Sequence, residues 1–195
     1  MTPERWTRGW RTDPDGCTIS DMTTIDPDLD ALLRALERTI DDLDDDGWQR
    51  PTPCTEWDVA ALVDHLTTDL HRFAAGMRGE EVDGSADAGG AEDRAAAFGE
   101  AAAQLRAAYD EGHEAQVDWQ LAELATHAWD LRTATGTTTE DLDASAAERG
   151  LDFVTRNLAD DRRGDAFSPA VEPRAGADAY ERLAAFSGRS VAAAQ

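Results

Sequence analysis

The sequence predicts an all-α fold, a four-helix bundle with additional C-terminal helices, on three observations. Four long segments repeat apolar residues at spacings of three and four, the period of a helix with one buried face. Shortish loops join them, as in a bundle. No stretch alternates apolar and polar residues strictly enough for a half-buried strand.

The elements follow in order. Residues 1–25, beginning "MTPERWTRGWRTDPDGCTISDM", are polar without a helical period and are expected to be a disordered leader, with Met22 as an alternative start. Helix one is expected over 27–44: Asp26 suits the N-cap, Pro27 the first helical position, and Leu29, Leu32, Leu33, Leu36, Ile40 and Leu43 the buried face. Helix two is expected over 56–78. Thr55 followed by Asp58 is a capping-box variant, and Val59, Leu62, Val63, Leu66, Leu70, Phe73 and Met77 form one stripe. The acidic, glycine-rich "GEEVDGSADAGGAED" reads as a loop. Helix three, 91–111, is alanine-rich with Phe98, Leu105 and Tyr109. Helix four starts after Asp118 as N-cap and stops near Gly136, carrying Trp119, Leu121, Leu124, Ala128, Trp129 and Leu131. Helix five, 144–159, shows Ala147, Leu151, Val154 and Leu158, and a short helix over 178–187 follows a proline-broken tail. Residues 26–190 are read as a single domain, since 195 residues at 41% hydrophobic content suit one core.

Charge narrows the function. The formal charge is -23, from 41 acids against 18 bases, all arginine. Nucleic acid and anionic membrane surfaces are thereby disfavoured as partners, because both demand clustered positive charge. The lysine-free, acidic composition fits either GC-rich coding or adaptation to high salt. Cys17 and Cys54 form no disulfide or metal-binding pattern, and no apolar run suits a signal segment or a membrane span, so a reducing cytoplasm is expected.

The search for a site starts from four histidines. "ELATH" sets Glu123 and His127 four residues apart, on one helix face where both can chelate one ion. Composition alone produces such a spacing about 0.3 times per chain, so by itself it decides little. His65 adds weight, because it flanks the apolar stripe of helix two between Leu62 and Leu66, where an unpaired imidazole is costly. Two histidines and a glutamate from facing helices would make a three-ligand metal site with one open position. The competing reading is a core or surface histidine in each case. His71 and His113 read as surface residues. Asp130 and Asp69 could orient His127 and His65, or be solvated carboxylates. Cys54 sits where a helix dipole would favour a thiolate, yet a half-buried thiol packing the corner is the commoner outcome. Trp48, Trp57, Trp119 and Trp129 suit the core, although such rings could also wall a pocket above a metal.

"DGWQRPTPCTEWDVAALVDHL" closely resembles the N-terminal region of the mycothiol-dependent maleylpyruvate isomerase family, within the DinB-like four-helix-bundle metalloprotein superfamily. "LAELATHAWDLRTATG" resembles that family's second hallmark, and the resemblance spans about 26–190. It implies an up-down-down-up bundle and a divalent metal, zinc or else nickel, on His65, Glu123 and His127. It also implies mycothiol or another small thiol as cosubstrate, and an electrophile that undergoes isomerisation or S-transfer. Superfamily relatives are often dimers, so a homodimer is a further expectation. The isomerase proper resembles a two-domain protein, whereas about 60 residues follow helix four here, and the chain is similar to the family's shorter relatives. A non-catalytic metal-braced or stress-response bundle, and a metal-free interaction bundle, are the other readings.

Overall fold

Asp26 begins the first helix as its position suggests: its carboxylate accepts from the backbone N–H groups of Asp28 and Leu29, with Pro27 inside the first turn. The computed structural model describes residues 24–54, 57–80, 93–113, 115–157 and 168–190. They contain α1 (Pro27–Asp41), α2 (Val59–Arg78), α3 (Arg94–Asp110), α4 (Val117–Thr135), α5 (Ala144–Asn157) and α6 (Ala179–Phe186). Among the described residues there is no strand, and no helix is long and apolar enough to cross a membrane. The leader expected over 1–25 lies outside the described residues as far as residue 23, and so do Thr55, the loop from residue 81 and Leu158.

Side-chain pairs give the helix directions. From α2 to α3, Asp64 meets Arg94, His71 meets Gln104 and Arg78 meets Glu111, so the two helices run parallel. From α2 to α4, His65 meets Glu123 while Met77 meets Gln120, near the start of α4. That pair is antiparallel. The first turns of α1 and α4 are tied through Arg149, which bonds Asp26, Asp28 and Asp118, and their far ends share Arg38, Thr39, Arg132 and Thr135 around one cavity. The topology is therefore up-down-down-up, as the resemblance implies. Leu29, Leu33, Leu36 and Ile40 of α1 meet Leu62, Leu66 and Leu70 of α2, Phe98 and Leu105 of α3, and Leu121, Leu124 and Leu131 of α4 in one core. α5 and α6 pack together and against α4. Gly150 permits the α4–α5 contact, because a Cβ there would lie 2.8 Å from the Ala122 Cα.

Three helix starts differ from expectation; α3 begins at Arg94, later than residue 91, because the Asp93 carboxylate caps it by accepting from the Ala96 N–H. α2 begins at Val59 with Asp58 as N-cap, its carboxylate accepting from the Ala61 N–H, three residues later than the capping-box variant suggests. The physical reason lies upstream. The Val59 N–H donates to the Arg50 carbonyl and the Thr52 N–H to the Trp57 carbonyl, an extended pairing that holds the chain out of the helix until Asp58. α4 begins at Val117 with Gln116 as N-cap, because the Asp118 carboxylate faces Arg149 instead of capping. A short 3-10 turn, Gly47–Gln49, follows α1.

Candidate metal centre

His65 lies in the second turn of α2, and Glu123 and His127 lie one turn apart on the facing side of α4. This brings together the three residues that spacing singles out. Glu123 Oε1 is 3.2 Å from His65 Nε2 and 3.1 Å from His127 Nε2, and one ligand atom from each residue lies within 4.8 Å of the other two. Two imidazole nitrogens and a carboxylate oxygen aimed at one point form a donor set suited to a borderline divalent cation. The three side chains fit a metal on that ground.

The partners of the donors are ordered too. His127, 5% exposed, donates from Nδ1–H to Asp130 Oδ2 at 2.9 Å, which fixes the ring and turns Nε2 towards the cluster. Asp130 is 0% exposed, and the Arg189 guanidinium closes on it, with Nη2 3.1 Å from Oδ2. His65 Nε2 is also 3.1 Å from Asp69 Oδ2, and Asp69 in turn accepts from Arg72. Asp69 therefore sits at the edge of the cluster, against the nitrogen that faces Glu123.

Burial would raise the Glu123 carboxyl, but N–H donors from His127 and His65 hold it far below the usual range. Burial would likewise strip the proton from His127; the Asp130 and Glu123 carboxylates outweigh it and push the imidazole up to about 9. Burial raises the Asp69 carboxyl, with the His65 charge opposing.

Trp57 roofs the cluster. Its ring centroid is 4.5 Å from that of His65 and 5.8 Å from that of His127. The Thr52 hydroxyl, within 2.8 Å of the Trp57 carbonyl, helps hold this turn. Trp57 is thus in contact with both candidate histidine ligands as well as packed against the core. Trp129 is buried in the core and Trp48 packs against it. Trp119 departs from the core expectation: it is 36% exposed and lies against Phe153. Cys54 is half-buried at the corner beneath Trp57, whose N–H donates to the Cys54 carbonyl. His71 and His113 stand apart from the cluster, against Gln104 and Glu111. Arg162 and Arg163, the basic pair of the tail, lie outside the described residues. A cavity of about 290 Å³ opens elsewhere, between the C-terminal ends of α1 and α4. Its Arg38, Arg50 and Arg132 are matched by Asp42, Asp44 and Asp141, and none of the three candidate ligands lines it.

Sequence reasoning missed Arg189. It follows the last helix, 59 residues from Asp130, and nothing in "FSGRS" marks it as part of a site. Comparison with curated proteins and with solved structures finds no significant match. A family model described as the mycothiol maleylpyruvate isomerase N-terminal domain matches residues 29–152. That stretch holds α1 from its third residue, α2 to α4, the larger part of α5 and all three candidate ligands. Since it covers more than half of the sequence, the chain belongs to the mycothiol maleylpyruvate isomerase N-terminal domain family.

Proposed function

We propose that His65, Glu123 and His127 bind a divalent metal, zinc foremost and nickel as the alternative. The protein then catalyses isomerisation of, or S-transfer to, an electrophilic small molecule with mycothiol or another low-molecular-weight thiol, in a reducing cytoplasm. The observation that carries this reading is the convergence of two Nε2 atoms and one carboxylate oxygen within 4.8 Å, inside a family named for a mycothiol-dependent isomerase. A bound cation with an open position favours the thiolate form of a thiol at neutral pH. The chain's residues supply the setting: Asp130 holds the His127 ring in register, Trp57 screens one side from water, and Glu123 brings the negative charge that retains a cation.

A second reading, a non-catalytic brace between α2 and α4, draws on Asp69. Its carboxylate lies against His65 Nε2 and could close the site as a fourth ligand. Elemental analysis of purified wild type beside His65→Ala and His127→Ala tests both readings. About one zinc or nickel per wild-type chain and almost none in either variant is expected. Equal, negligible metal in all three proteins overturns both readings. Metal-dependent conjugation of a small thiol to a chlorodinitrobenzene, lost in His127→Ala, is expected of the enzyme; full metal with no such reaction leaves the brace.

A further inference from the structure

Asp130 poses a problem that its bond to His127 does not solve. A carboxylate with no exposure loses its hydration, and one imidazole N–H is a small replacement. The replacement comes from the far end of the chain. Arg189 approaches Oδ2 with Nη2 at 3.1 Å and Nε at 3.3 Å, and Nε is also 3.4 Å from Oδ1. The guanidinium is itself anchored, because Nη1 donates to the Ser187 carbonyl at 3.1 Å and its side chain is only 11% exposed.

The backbone that presents Arg189 is equally constrained. α6 closes with the Gly188 N–H on the Ala185 carbonyl and the Arg189 N–H on the Ala184 carbonyl. Gly188 has φ +86°, and a Cβ there would lie 2.6 Å from the Ser168 Cβ, so the turn that aims Arg189 inward calls for glycine. Tyr180, Leu183 and Ala184 bury α6, which packs on α4 and α5. The Tyr180 hydroxyl donates to the Asp143 carbonyl. None of α6 falls within the stretch the family model matches.

Resting on the metal reading above, we propose that Arg189 is a positioning residue of the metal centre. It holds Asp130, Asp130 holds the His127 ring, and the Arg189 guanidinium thereby sets how tightly the three ligands grip a cation. Partners one step removed from a metal typically change affinity by roughly 10–100-fold when mutated.

The test is zinc affinity by chelator competition in wild type, Arg189→Met, Arg189→Lys and Tyr180→Phe, with thermal unfolding of the metal-free proteins alongside. Absorption spectra of the cobalt-loaded forms report ligand geometry. Arg189→Met is expected to weaken zinc roughly tenfold or more and to alter the cobalt spectrum. Arg189→Lys, which keeps the charge without the two-point grip, is expected to fall between Arg189→Met and wild type. Tyr180→Phe loosens α6 while keeping Arg189, and is expected to lower the unfolding temperature at wild-type zinc affinity.

Wild-type zinc affinity and cobalt spectrum in Arg189→Met overturn the inference and leave the metal reading standing. So does weakening of zinc in Tyr180→Phe to the same extent as in Arg189→Met. Should Arg189→Met fail to fold, wild-type affinity in Arg189→Lys overturns it. Absence of zinc binding by wild type overturns the metal reading and this inference with it.

Discussion

Glu123 Oε1 serves two imidazoles from two helices, and Trp57 lies over both rings. This places Trp57, among the described tryptophans, in ring contact with the candidate ligands. Titration of wild type with cobalt is expected to quench tryptophan fluorescence, and Trp57→Phe to lose most of that quenching while binding the same amount of metal. Quenching unchanged in Trp57→Phe would place the ion elsewhere. His65, Glu123 and His127 were legible at the residue scale because a four-residue spacing, a histidine beside an apolar stripe and a family resemblance agree. Asp130 was legible as a possible orienting group, since it follows His127 by three. Asp69 was legible in the same way by its spacing from His65, but its contact is with Nε2, the nitrogen that faces Glu123. No local pattern could disclose Arg189, because its contact with Asp130 depends on how α6 docks.

At the scale of elements, apolar periodicity located α1, α2, α4 and α5 to within a few residues, whereas the caps of α2 and α4 were decided by contacts outside their own segments. Asp118 shows why. It has the chemistry of an N-cap, but Arg149 competes for it while also binding Asp26 and Asp28, so one guanidinium ties the first turns of α1 and α4 to α5. Hydrogen bonds from Arg149 and Ser145 hold the Asp28 carboxyl below its ordinary value of 3.8. A carboxyl lowered in the folded state contributes stability above its unfolded value, and that contribution disappears as pH falls through the lower folded value. Arg149→Met is therefore expected to be less stable than wild type at neutral pH, with the gap narrowing below about pH 3.8 as Asp28 protonates. Urea unfolding at a series of pH values checks this; a gap that stays constant or widens towards acid contradicts it.

For the whole molecule, the up-down-down-up arrangement is what the resemblance implies, since periodicity alone reveals which residues are buried but not which helix lies beside which. A formal charge of -23 was readable by counting. Its effect should be visible in salt. The screening length shortens from about 10 Å at 0.1 M to about 3 Å at 1 M, so molar salt is expected to relieve self-repulsion and stabilise the fold. Each kcal/mol recovered raises Tm by about 2–4 °C in a chain of this size. Thermal unfolding in sodium chloride from low to molar concentration measures the effect, and a flat or falling Tm counts against it. The layout of the cluster also has a consequence in time. His65 and Glu123 are 58 positions apart, and Asp130 and Arg189 a further 59. During synthesis the first half of the chain emerges with a solitary candidate ligand, the chelating pair arrives with α4, and the arginine that steadies it comes last. On that schedule an ion bound as proposed would find its three ligands together only once α4 has been made.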